Sequence, residues 1–166
     1  MKKIILTLSI LILFVNVSVA VTPIKFSLWN EIVTPKDNSV RGFELGVWTY
    51  TPELVGVGLD FIYSKTDNAV ALNMGVVAIS KRFMGVQIAF FSSSEIFEGL
   101  VASCINLNEG EILGAQIGFL NKTKSIKGIQ LGIINITEDM NGIQIGLLNF
   151  VKKGKFPVMI IVNAKF

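Results

Sequence analysis

"GIQLGIINITEDMN" (Gly128–Asn141) runs directly into "GIQIGLLNFVKKGK" (Gly142–Lys155), and both stretches open on one formula: Gly, apolar, Gln, apolar, Gly, apolar, apolar, Asn. Stepping outward by 14 or 15 residues, the leading position falls on Gly114, Gly99, Gly85, Ala71, Gly56 and Gly42 in one direction and on Phe156 in the other. Nine units therefore run from residue 42 to the C-terminus, and a fixed period of this kind governs how every local segment is read. Within a unit the apolar residues alternate, which is the period of a strand and not of a helix. The residues one, three and five places after each leading position are never polar, from Phe43, Leu45 and Val47 to Pro157, Met159 and Ile161.

The opposite face carries Gln87, Gln116, Gln130 and Gln144 between small residues, with Glu44, Asp60 and Asn73 in the earlier units. One face thus has an apolar middle, closed by Asn106, Asn121, Asn135, Asn149 and Asn163, and the other has a polar middle. That pairing predicts an all-β chain, an antiparallel up-and-down transmembrane β-barrel with lipid outside and a lined lumen inside. "IKFSLWNEIV" upstream supplies one further strand, for about ten in all, and short polar segments such as "KTKS", "TEDM" and "KKGK" read as its turns. A narrow barrel also gives the paired glycines a reason, since glycine in a strand otherwise weakens it.

The alternative is a secreted parallel β-solenoid, each unit one coil, with Gln and Asn stacked in ladders and a flat side free to act as an adhesin. Gly-x-Gln-x-Gly is nearly palindromic, so like faces like in either arrangement. Three features favour the barrel at this level: the poverty of the return segments in residues to fill a coil, the apolar last unit that a solenoid would expose, and the band-and-rim profile.

Residues 1–20 have the form of a signal peptide, with Lys2 and Lys3 before an apolar run and Ser18-Val19-Ala20 before the expected cleavage point, leaving 21–166 as one domain. Of 15 Lys and Arg, two fall in that segment, which leaves 13 against 12 Asp and Glu; a net charge of +1 gives no reason to expect a nucleic-acid partner. A single cysteine, Cys104, excludes a disulfide framework, and the absence of histidine removes the commonest base and metal ligand. The reading predicts no catalytic, cofactor or metal site.

The units resemble the GxQxGxxN surface repeats found in tandem in secreted or outer-membrane proteins of spirochaetes and of the Bacteroidetes group, over residues 42–163 and most strongly over 85–149. The resemblance implies a location at the outer membrane or cell surface and brings no catalytic residue or ligand with it. Glu44, Asp60, Asn73 and Val158 depart from the pattern. The ending "VMIIVNAKF" resembles the assembly signal of bacterial outer-membrane barrels, with Phe166 as its last residue, and implies outer-membrane lipid and the barrel-assembly machinery as partners. Its apolar set, Val158, Ile160, Val162, Ala164 and Phe166, is out of phase with the repeat.

Candidate functional residues are accordingly the lumen-lining row of Glu44, Asp60, Asn73, Gln87, Gln116, Gln130 and Gln144, as a polar conduit or as amides bonded to one another across a filled lumen. Lys25, Glu31, Glu44 and Asp60 are expected to share an interior in which opposite charges neutralise. The turns are the remaining candidates for contact with a host or environmental ligand.

Overall fold

The computed structural model describes residues 22–29, 32–34 and 39–166; the expected signal peptide and Glu31 lie outside them. The described chain is all-β, in one open sheet of mixed direction, with strands β1 (Thr22–Trp29), β2 (Ile32–Thr34), β3 (Ser39–Val151) and β4 (Val158–Lys165) in the order β2-β1-β3-β4. β1 runs parallel to the start of β3, with Lys25 beside Glu44 and Phe26 beside Leu45. The outermost strands both run antiparallel to their neighbours: β2 pairs with β1, and β4 pairs with the last unit of β3, where Gln144 meets Asn163.

β3 holds 113 residues, and a straight strand of that length is impossible in so small a protein. It returns on itself once per unit. A Cβ on Gly128 would meet the carbonyl oxygen of Gly114, one on Gly142 that of Gly128, and one on Gly146 that of Gly132. Equivalent residues of successive units are therefore neighbours at several points along the unit, in the same order. The chain passes each point repeatedly in one direction.

This corrects the expected closed ring of ten antiparallel strands: the sheet is open, and its strands are of mixed direction. It also corrects the turns. "KTKS" and "TEDM" lie within β3, and among the expected turns named above only "KKGK" is one, where the chain reverses between β3 and β4. The last unit consequently does not stack as a ninth copy. Its phase conflict is resolved at a register shift between the pairs Gly146–Ile161 and Asn149–Met159, where Ile161 has φ 71°, a conformation that a β-branched residue rarely adopts.

The hydrophobic core is built mainly on one column, joined by Ala71, Val101 and Val151. Val40, Leu54, Ala69, Phe83, Phe97, Ile112, Ile126 and Met140 recur every 14 or 15 residues and are all buried, with the rings of Phe83 and Phe97 stacked at 5.2 Å between centroids. Burying each large member contributes about 1.5–3 kcal/mol. The return segments, expected to offer little to fill a coil, supply this column with Ile126 and Met140, and supply Thr123 and Thr137 beside it.

Candidate functional site

Three polar columns share the interior with the apolar one. The first holds Glu44, Asn73, Gln87, Gln116, Gln130 and Gln144, each 0–1% exposed, interrupted by Val101. Within it Gln144 Nε2 donates to Gln130 Oε1 and Gln130 Nε2 to Gln116 Oε1, both at 2.6 Å. All seven residues expected to line a lumen, Asp60 included, are thus buried against other side chains. A side-chain amide carries donor and acceptor at opposite corners, so a column of amides one strand apart satisfies itself.

The second column was missed as interior. Asn106, Asn121, Asn135 and Asn149, expected on the rim of the apolar face, are 0–1% exposed and form a ladder in which each Nδ2 donates to the next Oδ1 at 2.8 Å. Strict alternation would put them on the outer face. Two consecutive outward residues, such as Ile133 and Ile134, shift the phase and turn the asparagine inward. Three of the amides also bond a backbone carbonyl of the adjacent unit, Asn106 that of Ile117 at 2.9 Å, Asn121 that of Leu131 at 2.9 Å and Asn135 that of Ile145 at 3.0 Å, whereas Asn149 donates to Gly146 of its own unit. The third column includes Ser94, Asn108 and Thr123, joined by Asn108 Nδ2 to Ser94 Oγ at 2.7 Å and Thr123 Oγ1 to Asn108 Oδ1 at 3.0 Å.

Toward the N-terminal end the columns carry charge. Lys25 Nζ donates to Thr51 Oγ1 at 2.6 Å and to the Tyr50 carbonyl at 3.0 Å, and lies 3.7 Å from Glu44 Oε1, which accepts from Thr51 at 2.5 Å. Asp60 accepts from Thr49 at 2.9 Å and from Asn73 at 2.8 Å. Burial holds both carboxyls above their ordinary range. For Glu44 the bond from Thr51 and the charge of Lys25 oppose that rise while the charge of Asp60 adds to it; for Asp60 bonds from Ser64, Thr49 and Asn73 oppose it. Lys25 and Glu44 neutralise each other as expected, and groups so enclosed present no reacting atom to a solute.

The outer surface is the inverse of an ordinary one. Large apolar side chains project from many of the alternating outward places, among them Phe61, Phe90, Phe119 and Leu147 at the fifth place. Charges gather along the edges and pair between units, Lys81 with Asp67 at 2.8 Å and Lys127 with Glu111 at 2.9 Å. On one side, Leu107, Lys122, Thr123, Ile136 and Lys152 border a groove of about 450 Å³. Phe166 is 87% exposed at the C-terminus. Among the described residues no three His, Cys, Asp or Glu side chains are grouped as a metal ion would require. No protein-family model, curated protein or solved structure matches the chain.

Proposed function

We propose that the chain is a parallel β-solenoid of 14-residue coils, exported to the cell envelope or surface, where it serves as a non-catalytic binding module. The observation that carries this reading is the asparagine ladder at 2.8 Å between residues one unit apart. In an up-and-down barrel these residues would sit at alternate ends of successive strands, separated by the thickness of the bilayer core, about 30 Å. The buried amide columns and the open sheet likewise remove support from the narrow-pore reading, because they leave the row expected to line a conduit bonded to itself. A rigid rod with a polar, ladder-bonded interior and a broad outer sheet is suited to contact, and its outward apolar side calls for a protein partner.

Two cysteines test the architecture. Lys124 and Glu138 hold equivalent places in adjacent units. In a Cys104→Ser background, Lys124→Cys with Glu138→Cys should form an intrachain disulfide, since strand neighbours lie about 4.8 Å apart. An antiparallel barrel would leave them unbridged. Protease treatment of intact producing cells tests the location: a surface module is removed, whereas a protein retained inside is spared.

A further inference from the structure

The apolar side has a relief that repeats every second unit. At the fifth residue after the leading position, Phe61, Phe90, Phe119 and Leu147 stand out at 65%, 59%, 62% and 62% exposure, and between them lie the smaller Val76, Cys104 and Ile133. The dip at Cys104 opens into a shallow hollow of about 520 Å³ bordered by Ala102, Ile117, Phe119 and Leu131. Knobs and hollows of equal period on one surface make that surface complementary to itself.

We propose that this side is covered by a second copy of the chain, packed face to face about a two-fold axis that runs along the strands between the units begun by Gly85 and Gly99. The proposal rests on the parallel-coil reading. That axis reverses the order of units, so the first faces the eighth and the fourth faces the fifth. Phe90 then enters the hollow at the partner's Cys104, Phe61 meets the partner's Ile133, and Phe119 meets the partner's Val76. The same operation sets Ala102 against the partner's Ile88 and Ala115 against the partner's Leu72, so no small residue faces another small one. Charges near the edge are also compatible, with Arg41 facing the partner's Asn141 and Glu98 facing the partner's Met84. A two-fold along the stack would instead oppose Ala102 to the partner's Ala102 and leave a void.

The size of the surface fits this occupant. Counting β1 and β4, ten rows at about 4.8 Å and a width of five residues at about 3.3 Å give about 790 Å² in projection. A standard stable interface removes about 800 Å² from each partner. The register chosen is the one in which all ten rows overlap, and sheets so packed lie about 10 Å apart with their side chains interleaved. Such an interface is isologous and closed, which leaves a dimer with no further apolar side to propagate.

The test uses the 21–166 chain in detergent-free buffer, with mass from light scattering and cross-linking in the Cys104→Ser background. The mass should be twice that of one chain. Phe61→Cys with Ile133→Cys, treated with a bis-maleimide long enough to join residues on sheets packed about 10 Å apart, should run as a covalent dimer; the two sites lie five units apart, about 24 Å, within one chain and are beyond its reach. Phe90→Lys should halve the mass. A monomeric mass, an open polymer, an uncross-linked pair, or a monomer that floats with phosphatidylcholine vesicles would overturn the proposal. The intrachain bridge between positions 124 and 138, formed in the same preparations, separates failure of the dimer from failure of the coil.

Discussion

The units from Gly99 to Val151 and those from Thr22 to Met84 occupy the same architecture with different chemistry inside it. In the later units the polar columns repeat, Asn on Asn and Gln on Gln, and each bond is a copy of the one below. In the earlier units the equivalent places hold Lys25, Glu44, Thr49, Ser64 and Asn73, with Asp60 beside them where later units have glycine, and every bond is particular to its partners. A repeated interior is satisfied by any neighbour of the same kind, whereas a particular one is satisfied by a single arrangement. The later units supply periodicity, and the earlier ones supply contacts that a single arrangement satisfies.

The largest effect is expected at the backbone, where the earlier units depart at one place: Gly42 and Gly56 have positive φ as Gly128 does, and Ala71 does not. Gly128 has φ 143°, and a Cβ there would collide with the Gly114 carbonyl, whereas Ala71 takes the same place in its unit without a positive φ. Gly128→Ala combines strain of about 1–3 kcal/mol with overpacking of similar size, so a loss of about 4 kcal/mol is expected in urea unfolding followed by circular dichroism. Ala71→Gly should change stability by no more than about 1 kcal/mol. Equal losses at both sites would mean that Ala71 stands in the same backbone conformation as the glycines.

Next in size is the centre of the asparagine ladder. Asn121→Leu removes the acceptor of Asn106, the donor to Asn135 and the bond to the Leu131 carbonyl, all in the interior. Buried polar groups left without partners cost about 1–3 kcal/mol each, so a loss of about 3 kcal/mol is expected, against less than half of that for Ser64→Ala in the equivalent place of an earlier unit. Comparable losses would show that the ladder gives no more than its separate bonds.

How much of this was legible in the sequence can be judged residue by residue. Alternation placed Gln87, Gln116, Gln130 and Gln144 on one inward face, and they are buried there. It misplaced Asn106, Asn121, Asn135 and Asn149, because a break in phase at two successive outward residues is invisible in a pattern that is apolar on both sides of the break. Thr123 and Thr137 were read as turn residues since threonine between lysines or beside acids is ordinary turn chemistry; only stacking on their counterparts makes them interior. Strand direction was not legible at all from Gly-x-Gln-x-Gly. The reversal of the last unit was foreshadowed by the phase conflict in "VMIIVNAKF", which the structure resolves at Ile161.

The charged end should reveal itself through pH. Burial raises the pKa of Asp60 and Glu44, so between their unfolded values, about 4, and their folded ones the native state binds more protons than the unfolded state. Stability therefore falls as pH rises through that window. Asp60→Asn should flatten the fall in urea midpoints measured from pH 4 upward, and Glu44→Gln should flatten it further; an unchanged slope in both would assign the pH dependence to other groups. Asn121→Leu, which touches no titrating group, should shift the whole curve without altering its shape.

The smallest expected effect is a gain. The glutamine column is continuous from Gln116 to Gln144 but is cut from Gln87 by Val101, and Gln87 Oε1 has no hydrogen-bond partner. Val101 stands one unit from each glutamine, so a glutamine in its place reaches both: its Nε2 faces the vacant oxygen of Gln87, and its Oε1 faces the amide of Gln116. Two bonds made in a satisfied column contribute about 0.5–1.5 kcal/mol each, reduced by the loss of the buried valine and by the extra side-chain entropy. Val101→Gln should therefore raise the urea midpoint by the equivalent of about 1 kcal/mol, and Val101→Leu, with nearly the same volume, should lower it. If the glutamine is destabilising, the valine is there because the two halves of the column differ in spacing, and the ladder of the later units cannot be extended into the earlier ones by chemistry alone.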